Sequence, residues 1–283
     1  MTPHELPVGP PELGIALSAG SRIEDGWLVR GLRAAAGLDG PSGILQGGFA
    51  AGVSVAAARA ADRFGAPVTG FRARLFAPTP LDLDLEVAVR PTDRVATYEV
   101  QTRQAGQVLV SSEVELAGHE VGARAGDLAE LARVALPEPR PQEVFPACWV
   151  CGAHPRHPLG LRLHPAPLTP GIEVMAWVAD DVLGESGTLD PLIVAAVLDC
   201  PTQWAAYPTI RSSGNSGGLL GGYEVRWYHD PPVMEPLRVV GRHDGADGRK
   251  HRARSAIVDE DGVIYALASA LMVAVPEIPS LPS

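Results

Sequence analysis

The chain has 283 residues and a formal net charge of −10 at neutral pH, which excludes a general nucleic-acid binder, since that function needs a basic face. Its three cysteines, an odd number, make no disulfide framework, and no run of about 18 uncharged apolar residues and no basic-then-apolar leader occurs; a soluble, cytoplasmic protein with no membrane association is expected. The length suffices for one large domain or two of ordinary size, and in either case for a substantial core.

In chain order, a Pro-rich start leads to Ile15-Ala16-Leu17 and Trp27-Leu28-Val29, which read as short strands around a turn at Ser18-Ala19-Gly20-Ser21. Pro41-Ser42-Gly43 then opens onto Leu45-Gln46-Gly47-Gly48-Phe49, the start of a helix. From Ala50 to Ala61 only Ser54 and Arg59 interrupt small or apolar residues, and a helix that is apolar all round must be buried on nearly every side. A curved sheet could bury it. Gly47 and Gly48 carry no side chains, so a ligand could approach N–H groups that have no intrahelical partner and sit at the positive end of the helix dipole. The competing reading is that the two glycines only let the helix pack closely against a strand. The helix should stop near Phe64-Gly65, with Pro67 just beyond.

Four strand-like runs follow, Phe71 to Phe76, Leu83 to Val89, Val95 to Thr102 and Gln107 to Leu116, separated by turn signals and expected to form an antiparallel meander. Residues 119–145 break the pattern, with a short helix over Asp127 to Val134 and a stiff connector at Pro137, Pro139 and Pro141. Beyond this boundary the programme repeats. Strands are expected at Leu161 to His164 and Glu173 to Val178, a helix from about Asp190 capped by Thr188 or Asp190, and strands at Tyr223 to His229, Leu237 to Arg242, Arg252 to Val258 and Ile264 to Val275. The repeat is also visible residue by residue: Phe71-Arg72-Ala73-Arg74-Leu75-Phe76 and the prolines after it lie against Tyr223-Glu224-Val225-Arg226-Trp227-Tyr228. A duplicated unit that leaves a helix and a sheet face half covered would pack against its twin, giving an internal pseudo-dimer.

This order resembles a double hotdog, two tandem units of α+β class in which a long antiparallel sheet wraps a central helix, and specifically the acyl-CoA thioesterases of that superfamily. The likeness runs from about residue 10 to 277. It implies an N-terminal hotdog over 10–118, a linker over 119–145 and a C-terminal hotdog over 146–277. Gly43-Ile44-Leu45-Gln46-Gly47-Gly48 looks like the family's His-Gly-Gly entry to the central helix, with Gln in place of His. Cys148-Trp149-Val150-Cys151-Gly152 followed by Gly160-Leu161-Arg162-Leu163 looks like a preamble of some single-hotdog thioesterases.

The family's acid or base is a carboxylate on the central helix. Carried over in register, it falls at Asp199 in the second half and at Val55 in the first, where no acid–base work is available. The second helix in turn opens with Pro191, which has no N–H to donate. The resemblance therefore implies one composite site between the halves: Gly47 and Gly48 N–H groups polarising a thioester carbonyl, Asp199 acting as nucleophile or general base, and Gln46 orienting substrate or water. It implies a hydrolase of lipid metabolism that cleaves acyl-CoA to a carboxylic acid and free coenzyme A without metal or redox cofactor. A buried structural role for Asp199 stays open at this point. So do a non-catalytic acyl-CoA or lipid binder and an enoyl-CoA hydratase or dehydratase, although no Asp with a His five residues later opens either helix. A homodimer of such chains is open too.

Three further signals compete. Cys148 and Cys151 have zinc-knuckle spacing, with His154 and His157 close behind; buried free thiols are the preferred reading, because Pro155 and Pro158 constrain how the histidines could turn inward. Cys200 lacks an adjoining basic residue that would make it a nucleophile. Gly214-Asn215-Ser216-Gly217-Gly218 matches a nucleophile elbow in letters, but its context fits a mobile lid or entrance loop better. Arg249, Lys250 and Arg252, in the one dense basic cluster, are candidates for holding coenzyme A phosphates, against the alternative of a charged strand edge.

Overall fold

The computed structural model describes residues 5–81, 83–119 and 126–281. Its strands are β1 (Glu5–Pro7), β2 (Ala16–Glu24), β3 (Trp27–Arg33), β4 (Gly70–Leu75), β5 (Leu85–Pro91), β6 (Thr97–Gln104), β7 (Gln107–Glu115), β8 (Pro167–Thr169), β9 (Ile172–Val178), β10 (Gly184–Glu185), β11 (Thr188–Leu189), β12 (Gly217–Trp227), β13 (Pro236–Asp247), β14 (Lys250–Val258) and β15 (Ile264–Val275). The helices are α1 (Gly47–Ala61), α2 (Gly126–Ala129) and α3 (Pro191–Ser212).

Thirteen strands make one antiparallel sheet in the order β1-β2-β3-β5-β6-β7-β4-β12-β15-β14-β13-β9-β8. The seam is β4 against β12, pairing Phe71 with Val225 and Ala73 with Tyr223. These are the two stretches that match as repeats in the sequence, now side by side and antiparallel, as an internal twofold would place them. The architecture is the tandem hotdog of α+β class. Along β15 the inward positions Ala266, Ala268, Ala270, Met272 and Ala274 are buried, and small side chains there let α3 lie close to the sheet.

The two central helices pack on each other at the middle of the fold, and glycine decides how closely. A Cβ on Gly48 would sit 2.4 Å from the Ala195 carbonyl oxygen and 2.7 Å from Asp199 Cβ, and one on Gly52 would sit 2.9 Å from Leu192 Cδ1. The neighbour that requires these glycines is therefore the other helix, not a strand. Asp190 caps α3, its Oδ1 accepting from Leu192 N at 2.8 Å, and Pro191 occupies the first turn, where a missing N–H costs nothing.

Four expectations are corrected. The turn between β2 and β3 lies at Asp25-Gly26, both with positive φ, as a two-residue hairpin turn needs; Ser18 to Ser21 stay within β2 as an irregularity of register. The four runs after α1 are not a simple meander. β5, β6 and β7 are, but β4 pairs with β7 and β12 while β5 pairs with β3, because the proline-containing loop after β4 carries the chain across the unit. Leu161 to His164 form no strand: Arg162 is left-handed (φ 49°), and the Leu161 and Leu163 N–H groups bond instead to the Trp149 and Val150 carbonyls. Gly217 and Gly218, placed in a lid by sequence, begin β12 and pair with Val275 and Ala274.

In the stretch between the halves, α2 continues as a 3-10 turn, Glu130–Arg133, and buries Leu128 and Leu131 against Val240, Ala256 and Val258. Residues 120–125 of the expected linker lie outside the described residues. Among the described residues no helix is long and apolar enough to cross a membrane.

Candidate active site

The site forms where the N-terminus of α1 meets the middle of α3. Gln46 is the N-cap of α1: its side-chain carbonyl accepts from Phe49 N at 2.7 Å. That bond fixes the amide, so its Nε2 donates across the helix interface to Asp199 Oδ2 at 2.8 Å and to the Ala196 carbonyl at 3.2 Å. Gly48 N donates to the same Asp199 oxygen at 2.9 Å. One carboxylate oxygen thus takes two hydrogen bonds from the first half of the chain, while Asp199 Oδ1 is buried without a partner among the described residues. Burial pushes the Asp199 carboxyl up to about 7, against the pull of the Gly48 N–H toward the ionised form.

Pro201, inside α3 two residues after Asp199, cannot donate to the carbonyl four residues earlier. Neighbouring carbonyls take side-chain donors: Tyr223 Oη donates to Ala195 O at 2.8 Å, Thr202 Oγ1 to Asp199 O at 2.7 Å, and Ser255 Oγ to Leu198 O. These contacts lock the backbone that carries the carboxylate.

A cavity of about 280 Å³ opens onto this point. Gln46, Gly47 and Asp199 line it together with apolar walls such as Ile44, Leu45, Leu220 and Met272. Part of its wall lies just past the β4–β12 pairing: Gly222 is the last residue of β12 matched to β4, and Leu219 to Gly221 line the cavity together with Phe76 and Pro78. The Gly47 N–H, in the first position of α1, meets no acceptor among the described residues.

The structure brings together Asp199, Gln46, Gly47 and Gly48 and divides their parts differently from expectation. Of the two glycines, Gly47 lines the cavity and has no N–H acceptor among the described residues, whereas the Gly48 N–H is bound to Asp199. The Gln46 amide is likewise bonded to Asp199, Ala196 and Phe49. Val55, the counterpart of Asp199 in the first half, is fully buried and apolar.

Lys250 and Arg252 lie apart from this centre, on a groove in the outer face of the sheet with Arg72, Arg74, Glu224 and Arg254. Arg72 is paired with Glu224, and Arg254 with Asp127 and Asp244, whereas no ion pair is found for Arg74, Lys250 or Arg252 among the described residues. The groove adjoins the cavity: Lys250 pairs in register with Val273, which lines the cavity, while Gly222 and Leu271 of the groove neighbour Gly221 and Met272 of the cavity. Arg249 sits in the hairpin turn before β14, outside the groove.

Sequence reasoning missed that all three cysteines of the chain converge on the same cavity. Cys148, Cys151 and Cys200 are buried and line it, with sulfurs within 4.8 Å of one another. Hydrogen bonds from the Cys151 and Cys200 thiols hold Cys148 well below the usual thiol range. The two histidines of the knuckle-like motif do not join them. His154 is exposed beside Glu143, and His157 Nδ1 accepts from Leu159 N.

No protein-family model matches this sequence, and no curated protein sequence matches it. Solved structures do. An acyl-CoA thioesterase II from Mycobacterium marinum superposes with a TM-score of 0.60 at 15% identity, over 93% of this chain and 96% of that one. A conserved protein of unknown function with a hot dog fold from Alicyclobacillus acidocaldarius gives 0.60 at 15%, over 92% and 96%. The dehydratase domain of RzxB from Pseudomonas fluorescens gives 0.59 at 16%, over 89% and 96%. At these identities the shared property is the fold, and the tandem hotdog carries both kinds of named chemistry.

Proposed function

We propose that the protein hydrolyses an acyl thioester, with coenzyme A as the carrier. The observation that carries this reading is the Asp199 carboxylate: one oxygen tied across the interface by Gly48 and Gln46, the other without a partner, at the wall of an apolar cavity. A base titrating near neutrality is matched to its task at physiological pH.

In the proposed reaction Asp199 takes a proton from a water as that water attacks the thioester carbonyl. The Gly47 N–H donates to the developing oxyanion, a contact typically worth about 3 kcal/mol of barrier. Collapse of the tetrahedral intermediate breaks the carbon–sulfur bond, and the proton held by Asp199 passes to the departing thiolate. Gln46 acts through Asp199 as a positioning residue. Arg74, Lys250 and Arg252 would take the carrier's phosphates on the outer groove, where Arg forks and the Lys ammonium suit phosphate oxygens.

A cavity of 280 Å³ is roughly twice the ~150 Å³ that holds one benzene ring, so an aromatic or medium-length acyl group is the proposed substrate class. Dehydration is disfavoured by the lining: no histidine is among the described residues that form the cavity. The test is thiol release from short, medium, long and aromatic acyl-CoAs, run beside thermal shift. Release that peaks at medium or aromatic groups supports the reading. A melting shift with acyl-CoA but no thiol released would make the protein a binder.

A further inference from the structure

We propose that Cys148, Cys151 and Cys200 together bind one Zn²⁺ ion as thiolates. The inference stands apart from the hydrolase reading. Two of the three sulfur–sulfur distances are 3.5 Å (Cys148 to Cys151) and 3.9 Å (Cys148 to Cys200), and the third is within 4.8 Å. Tetrahedral zinc with Zn–S bonds of about 2.3 Å spaces its sulfurs about 3.8 Å apart, so the triangle is close to the required size without backbone movement.

Side-chain N–H groups approach two of the three sulfurs. The Trp204 indole N–H reaches Cys151 Sγ at 3.3 Å, and the amides of Gln142 and Gln46 reach Cys151 Sγ and Cys200 Sγ, each at 3.8 Å. Donors placed in this way are the outer partners that fix ligand orientation around a metal-bound sulfur. Among the described residues no Lys or Arg lines the cavity, so the compensating positive charge would come from the ion.

The turn that presents two of the ligands is braced from outside by the Leu161 and Leu163 N–H groups on the Trp149 and Val150 carbonyls. All three cysteines line the cavity, which leaves room for a water as fourth ligand. Because Trp149 packs edge-on against Phe49 of α1 (ring centroids 5.6 Å apart) and Cys200 follows Asp199 in α3, the ion would clip the 148–151 turn to both central helices beside the carboxylate.

The test uses the full chain, purified under reducing, oxygen-free conditions from cells supplied with zinc. One equivalent of Zn²⁺ is expected, with a fall in melting temperature on chelation that added Zn²⁺ reverses. Stripped protein titrated with Co²⁺ should develop the sulfur-to-cobalt charge-transfer absorption at one equivalent. Cys148→Ser and Cys200→Ser should each lose or weaken it, and the His154→Ala/His157→Ala double variant should keep it. The wild-type spectrum alone decides if a variant does not fold. Folded wild type with three free thiols that takes up neither ion would overturn the proposal. So would a Cys148–Cys151 disulfide whose reduction restores no metal uptake, or a cobalt spectrum unchanged by Cys148→Ser.

Discussion

Replacing Gly48 with alanine tests the helix interface where it is tightest. The new Cβ would lie 2.4 Å from the Ala195 carbonyl oxygen, a backbone atom that cannot swing away, so α1 must retreat by about 1 Å to reach ordinary contact. That retreat lengthens the 2.9 Å bond from Gly48 N to Asp199 to nearly 4 Å, beyond hydrogen-bond reach. Overpacking of this kind costs about 1–3 kcal/mol and a hydrogen bond to a charged group about 1.5–3 kcal/mol. Alanine returns at most about 1 kcal/mol of helix propensity. The losses win, and Gly48→Ala should be less stable by about 3 kcal/mol in urea unfolding. Gly52→Ala is the internal comparison, since its closest neighbour is Leu192 Cδ1, the end of a flexible side chain at 2.9 Å, and about 1 kcal/mol is expected. Equal stability of Gly48→Ala and wild type would refute the geometry from which the site is built.

Three more outcomes are expected. Glu173, which accepts from Ala166 N at 2.8 Å, is pushed from 4.5 to about 7 by burial; its folded state holds a proton that the unfolded state gives up, so its contribution to stability is full below pH 4.5 and lost as pH rises through 7. Glu173→Gln should therefore gain about 3 kcal/mol over wild type at pH 8 and little at pH 4, read from urea midpoints, and a constant difference would contradict the assignment. Lys250→Ala and Arg252→Ala should raise KM for acyl-CoA several-fold with kcat kept, and leave hydrolysis of a truncated thioester lacking the nucleotide phosphates unchanged; equal effects on both substrates would remove the groove from carrier binding. Gln46→Ala frees one of the two donors on Asp199 Oδ2 and should lower kcat by tenfold or more while Gly48 still holds the carboxylate; an unchanged kcat would end its positioning role.

The fold was legible where periodicity and punctuation agree. The all-apolar helix from Gly47, the β15 alternation and the Phe71 and Tyr223 repeat each gave the right element, and the repeat gave the internal pairing of two units, though not which strands form its seam. Reading failed where a stronger local signal competed. Asp25-Gly26 outweighs Ser18 to Ser21 as a turn, and Arg162 in the left-handed region stops a strand that Leu161-Arg162-Leu163 would otherwise permit. Pairing order was illegible after α1 because the loop following β4 decides it, not the strands themselves. At the candidate site, the register carried over from the family resemblance pointed to Asp199. It could not show that the Gly48 N–H and the Gln46 amide would both be spent on it, since that depends on a 2.4 Å clearance between helices far apart in sequence. The convergence of Cys200 with Cys148 and Cys151 was hidden for the same reason.

The central claim is that Asp199 is the base, and Asp199→Asn tests it with least disturbance. The Asn side-chain oxygen can still accept from Gly48 and Gln46, leaving its NH₂ where the unpartnered oxygen now lies. Thiol release from the best acyl-CoA of the panel should fall by about two to four orders of magnitude with folding and acyl-CoA binding intact. Turnover equal to wild type would contradict the account and remove Asp199 from the chemistry.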